Sequence, residues 1–468
     1  MIIPAQDHAF SLKANLALRA LGALLLLLLL LLVFSGYLEH LLLVVGFGIV
    51  VGIAFRFPMF TVFALLITGV LPTVYQMTPI FDASYGAIGG GLNAVDIVLM
   101  GMVGASLLRL SRPGNAPQLS LGIGVYVALF ALWLLFEIVR NVAVYGISAP
   151  GEFRYRYLIL SVPLYVAIFF HTTRDRKRLF RLLVFSSLIF TLLSIPIIGM
   201  LKGWSLPTSD TQEARFLPSG ITVGLVYALV MLFLAHRYRY IKPNPILLSM
   251  TAIPVLFMVL IDSHRSVWLV AVVLVLSLTS LKEIRITRMW HWGVPLLLIV
   301  VIVWYATTKA GLDVSDYIAT RGIAFVNPEQ DKTSAWRLVQ WETQISRFLS
   351  SPVAGEGFGG YWGLSGLKGD IGVSPHNLYV QTLVKLGLVG MLLYLAMAFK
   401  LLSSFKRWIR DNRRQGNPEI SLVVAAFVIL IGAHAYYLVY AFEYLTCLFV
   451  GLGAAVLRHS PLGNNDVE

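Results

Sequence analysis

Nine consecutive leucines, Leu24 to Leu32, stand inside an apolar run from Asn15 to Ser35. A helix of about 20 apolar residues crosses the hydrocarbon of a bilayer, so this run has the length of a membrane span. No small-residue cleavage site follows Ser35-Gly36-Tyr37, and the run is longer than the apolar core of a secretory signal; it is expected to be retained as a helix. Similar runs recur along the chain, which is 58% hydrophobic and only 13% charged. A soluble domain carries about twice that charge, so a soluble enzyme, a disordered chain and a secreted disulfide scaffold are excluded.

Reading spans by length and by the charges that stop them gives candidates at 15–35, 38–55, 57–77, 94–110, 119–139, 156–173, 182–201, 217–235, 245–262, 266–281, 290–308, 377–399, 420–438 and 440–457. Some are short or nearly fused. The expected fold is therefore all-α, a polytopic membrane protein of 12–14 transmembrane helices. Cys447, the single cysteine, lies in an apolar stretch, where it reads as a small buried side chain.

The net charge of +13 does not indicate nucleic acid, because the basic residues are dealt out between spans instead of forming one solvated face. Their distribution sets orientation, since cytoplasmic loops retain lysine and arginine. Alternate connections hold Arg109/Arg112, Arg174 to Arg181, Arg237/Arg239/Lys242, Lys282/Arg285/Arg288 and Lys406 to Arg414. Placing these in the cytoplasm puts both termini there. The stretch from about Lys309 to His376 then becomes one long outer loop.

Most connections run about 2–8 residues, and longer ones are usually functional or disordered. This loop has pattern. Between Ser334 and Ser350, Leu338, Trp341, Ile345 and Phe348 recur at helical spacing, with Arg337, Gln340, Gln344 and Arg347 on another face. An amphipathic helix resting on the membrane surface is expected. Pro352 and the glycines at 355, 357, 359 and 360 end it, and a second glycine-rich segment leads to Pro375-His376-Asn377. No internal repeat is visible, which weakens an inverted-repeat transporter reading.

Three ionisable residues fall at the outer ends of spans: Arg215 before Leu217-Pro218-Ser219-Gly220, Arg265 in Asp262-Ser263-His264-Arg265-Ser266, and His376 before Asn377. Singly, each has a plain structural account: Arg215 reaching lipid headgroups, Arg265 pairing with Asp262, His376 closing a loop. On one face of the membrane beside a structured loop they suit a chemistry. Guanidinium forks match phosphate oxygens and stay charged, and imidazole titrates near neutrality and takes a proton from an attacking hydroxyl. Such a set fits transfer of a group away from a lipid pyrophosphate. The outer connections offer neither a close acidic pair nor a Cys/His cluster, so no metal site is expected. Gly387 and Gly390, three apart on a span, are expected to admit a neighbouring helix.

His376-Asn377, nine residues, Gly387, two residues and Gly390 resemble the signature of the O-antigen ligase and polymerase superfamily, which shares the Wzy_C domain. The helix carrying Arg337 and Trp341, followed by Pro352-Val353-Ala354-Gly355-Glu356-Gly357-Phe358-Gly359, looks like that family's loop. Ser263-His264-Arg265-Ser266 looks like its outer Ser-Arg turn with one residue inserted. The resemblance covers roughly 205–440 and implies a division into N-terminal helices (1–204), a ligase-like region (205–440) with its periplasmic loop (309–376), and a last helix and cytoplasmic tail (441–468).

What the resemblance implies is transfer of a glycan from undecaprenyl pyrophosphate to an acceptor hydroxyl at the periplasmic face of a bacterial inner membrane, without a cofactor or metal. The partners would be the lipid-linked glycan, a glycolipid or glycan acceptor, and the bilayer. By position, His376 would be the catalytic base, and Arg215 and Arg265 would contact pyrophosphate, with Asn377 beside them. Arg337 would be a further phosphate contact or a structural residue of its helix. The Phe216-Leu217-Pro218 that follows Arg215 departs from the family's usual Gly and Asn-Pro-Asn. Ligase and polymerase share leaving group and attack; ligase is the first expectation and polymerase the alternative. A transporter is the competing class, but it would be expected to carry ionisable residues mid-span, where this chain has mainly Lys385 and Glu443.

Overall fold

A computed structural model describes residues 37–70, 93–111, 121–146, 148–202, 219–242, 265–284, 332–359 and 377–459, together with isolated positions between 248 and 259 and at 301. Among these residues the regular structure is entirely helical. The elements are α1 (Tyr37–Arg56), α2 (Pro58–Leu65), α3 (Ala94–Ser111), α4 (Leu121–Tyr145), α5 (Ser148–Tyr157), α6 (Ser161–Phe169) and α7 (Thr173–Lys202). They continue with α8 (Ser219–Arg237), α9 (Arg265–Ser280), α10 (Lys332–Ser350), α11 (Leu378–Asn412), α12 (Ile420–Tyr437) and α13 (Tyr444–His459).

Five of the described helices are long and apolar enough to cross a membrane: α3, the part of α4 from Ile123, α8, α11 and α12. A sixth span forms if α1 and α2, bent by 113° at Phe57-Pro58, count together. That bend separates what the sequence reads as spans 38–55 and 57–77, and proline supplies its cause by opening α2 at the first position. The expected span at 15–35 lies outside the described residues, as do all but residue 301 of 290–308 and most of 245–262.

The bundle is organised around α8 and α12, whose apolar windows are 83% and 78% buried. Its polarity follows from bonds at the two ends. Glu283, just past α9, accepts from Arg237 at the end of α8 (2.7 Å) and from Arg413 just past α11 (2.7 Å). Glu419, before α12, pairs with Arg176 near the start of α7 (2.8 Å). The C-terminal ends of α8, α9 and α11 therefore share one end with the start of α12, and several of the basic connections meet there. At the opposite end, called upper below, Ser219 at the start of α8 bonds Tyr436 near the end of α12 (2.9 Å), and the Leu378 N–H donates to the Tyr440 carbonyl (3.1 Å).

Candidate functional site at the upper end of the bundle

Because α8, α9 and α11 begin at the upper end, Ser219, Arg265 and Asn377 are all found there. Arg265 is the first residue of α9 and is half-buried. Arg337, in the second turn of α10, lies 5.7 Å above the Tyr440 ring, which stacks on Tyr436 at 4.9 Å. Its Nε is buried with no hydrogen-bond partner. Four helices and one interhelical turn thus bring Arg265, Arg337 and Asn377 to one end of the molecule. His376 and Arg215 lie outside the described residues, next in sequence to Asn377 and a few residues ahead of Ser219 respectively.

Asn377 has a clear local task. Its Oδ1 accepts from the N–H groups of Tyr379 (2.9 Å) and Val380 (3.1 Å), capping α11. A cap satisfies donors that the first turn leaves unpaired and fixes where the helix starts. It therefore fixes where the residue before it, His376, is delivered. Two residues along, the Tyr379 hydroxyl meets His434 Nδ1 at 2.8 Å and the His434 carbonyl at 3.1 Å, tying the start of α11 to α12.

Gly387 corrects an expectation. It does not serve helix-to-helix approach; it breaks α11, with φ 65° and ψ −170°, a conformation that only glycine adopts without strain. The break frees backbone groups, and each of five finds a partner. The N–H groups of Glu356 and Gly357 donate to the carbonyls of Val384 (2.8 Å) and Lys385 (3.0 Å). Those of Leu388 and Val389 donate to Pro352 (2.8 Å) and Val353 (3.2 Å). The Trp133 indole of α4 takes the Leu386 carbonyl at 3.1 Å. Irregular backbone at membrane depth is tolerated when it is buried and fully bonded in this way. The segment after α10 is thus stitched into α11 ten residues beyond its cap, about 15 Å along the axis.

Side chains lock the same junction. Lys385, 1% exposed in its side chain, pairs with Glu152 of α5 at 3.0 Å, and Glu152 also accepts from the Gly359 N–H at 2.7 Å. Arg140 of α4 pairs with Glu137 and donates to the Gly355 carbonyl at 2.9 Å. Arg347 pairs with Glu356. Phe358 is fully buried, edge-on to Phe153 and Tyr157. The mid-span Lys385 is accordingly occupied in holding the loop. Glu443 stands in the connection between α12 and α13, where the Tyr436 hydroxyl reaches it at 3.4 Å.

The helix predicted over 334–350 is α10, docked on the bundle with an inner face that mixes polar and apolar residues. Trp341 and Phe348 pack against Val380 and Val384 of α11. Gln340 and Gln344 are completely buried, whereas Leu338, Ile345 and Leu349 are 42%, 46% and 67% exposed. The outer face is mixed as well, since Glu342 and Ser346 are exposed beside Leu338, Ile345 and Leu349. Gln381, missed in the sequence, is 1% exposed on the adjoining face of α11, and neither amide atom has a hydrogen-bond partner. A glutamine in an apolar span five residues after His376 was the available signal.

Among the described residues no three His, Cys, Asp or Glu side chains converge as a metal site requires. Residues 250–395 match the family model described as O-antigen ligase, Wzy_C. The matched segment contains Arg265, α10, the stitched loop, His376-Asn377 and the Gly387 break, and it lies C-terminal to Arg215. No curated protein matches the chain.

Proposed function

We propose that the protein is a membrane glycosyltransferase of the O-antigen ligase type, moving a glycan from undecaprenyl pyrophosphate to an acceptor hydroxyl at the periplasmic face of the inner membrane. The observation that carries this reading is the gathering of Arg265, Arg337 and the Asn377 cap, which adjoins His376, at one end of a bundle that also matches the ligase family over 250–395. In the reaction the acceptor oxygen forms a bond to the anomeric carbon, and the bond from that carbon to the pyrophosphate oxygen breaks. The electron pair leaves with the pyrophosphate, and the acceptor proton passes to His376. Arg265 and Arg337, with Arg215 as the third, stabilise the charge that grows on the departing diphosphate, since guanidinium donors fixed near developing charge need no reorganisation as it forms.

The basic connections gathered at the far end support a periplasmic upper end under the positive-inside rule. The commitment of Lys385 to Glu152 supports an enzyme over a transporter, because a transporter reading needs its interior charges for cargo.

The test is reconstitution of purified protein in lipid with undecaprenyl-pyrophosphate glycan and two acceptors, lipid A core and a second lipid-linked unit. Extension of lipid A core establishes a ligase, and extension of the second unit establishes a polymerase of the same superfamily. No transfer to either removes the proposal. Arg265→Lys is expected to lower the transfer rate at least tenfold with unchanged membrane level, because an ammonium keeps the charge but loses the planar fork. Wild-type rates in that variant would mean that charge alone is needed there.

A further inference from the structure

Gln381 poses an energetic problem that the proposed chemistry leaves unused. A buried amide with neither its oxygen nor its nitrogen bonded costs stability, and such a group in a native fold calls for an explanation. It lies one helical turn past Asn377 and between two flanks of α11: Val380 and Val384, which pack under α10, and Lys385, which pairs with α5. Across the α10 junction Trp341 also leaves its buried indole N–H unbonded, one turn from Arg337 and its equally unbonded Nε. Four polar atoms on three side chains from two adjoining helices are therefore buried without a hydrogen-bond partner at the end where Arg265 and Asn377 lie.

The chemistry of the set is selective. An amide both donates and accepts, as a sugar hydroxyl does, and an indole offers a flat apolar face for ring C–H groups beside one donor. The first sugar of a lipid-linked glycan is joined directly to the pyrophosphate. A subsite for it must consequently adjoin a phosphate-binding guanidinium, and Trp341 follows Arg337 by a single turn. From this juxtaposition we infer that Gln381 and Trp341 form the subsite for the pyrophosphate-linked sugar of the donor, an assignment that rests on the glycosyl-transfer reading above. Binding of the sugar supplies hydrogen bonds to these groups, so a lipid without a hydroxylated headgroup there binds less tightly.

The test uses full-length protein in nanodiscs, titrated with undecaprenyl pyrophosphate and with the lipid-linked glycan extracted from cells lacking this protein. Wild type is expected to bind the glycan-bearing lipid about tenfold more tightly than the bare one, the value of one or two hydrogen bonds. Gln381→Met is expected to erase that margin while binding bare lipid as wild type does, and to unfold at the same or a higher temperature, since it removes an unsatisfied buried amide. Trp341→Leu is expected to narrow the margin likewise. A margin intact in Gln381→Met overturns the assignment, and so does a Gln381→Met protein that is destabilised or fails to fold, because the amide would then serve the fold itself. Equal binding of both lipids by wild type removes the sugar subsite and leaves glycosyl transfer standing, whereas binding of neither removes both.

Discussion

Replacing Gly387 by alanine is expected to unseat the loop from α11 and abolish transfer, with a loss of stability of about 3 kcal/mol or more. Two effects add. An L residue at φ 65°, ψ −170° is strained, and the new methyl would overlap the Val353 carbonyl and the Gly355 N–H. Relief requires α11 to straighten or the loop to move away, and either breaks the bonds that Glu356, Gly357, Leu388 and Val389 make across the junction. The measurements are the thermal midpoint of detergent-purified protein and hydrogen exchange at Glu356 and Gly357, which should lose protection together. A Gly387→Ala protein as stable and as active as wild type would show that the break is not required.

His376→Ala is expected to lower glycan transfer by at least a hundredfold, the usual contribution of a positioned general base. Membrane level and thermal midpoint should hold, because the Asn377 cap and the Tyr379 to His434 bond that fix the start of α11 do not involve that imidazole. Asn377→Ala provides the contrast: it removes the cap, at a cost of about 1 kcal/mol, and should lower both stability and rate. If His376→Ala transfers glycan at the wild-type rate, the base is another group and the family-derived role of His376 fails.

Much of the architecture is legible because its causes are local. Apolar length writes the spans of α3, α8, α11 and α12, and the period of 338, 341, 345 and 348 writes α10 almost to its ends. Other features depend on partners far along the chain. Gly387 in an apolar run reads as helix packing; only the arrival of Pro352 to Gly357 makes it a break. Periodicity finds α10 but not which residues turn inward: Trp341 and Phe348 do so together with Gln340 and Gln344, while Leu338 and Ile345 face outward, because the docking surface is set by α11. Lys385 looks free for cargo until Glu152, more than two hundred residues earlier, is brought beside it. The cap at Asn377 is a local feature, an asparagine directly before an apolar helix, and is legible from sequence alone. Arg215 and His376 remain expectations drawn from pattern and family likeness.

The stitched junction has a bearing on engineering. Residues 332–359 and the first part of α11 behave as one mechanical piece, anchored by Trp133 and Arg140 from α4. Grafting the loop of a relative to change which acceptor is used would succeed only if the graft runs through Val389, so that the incoming loop brings the helix interruption it was shaped to enter.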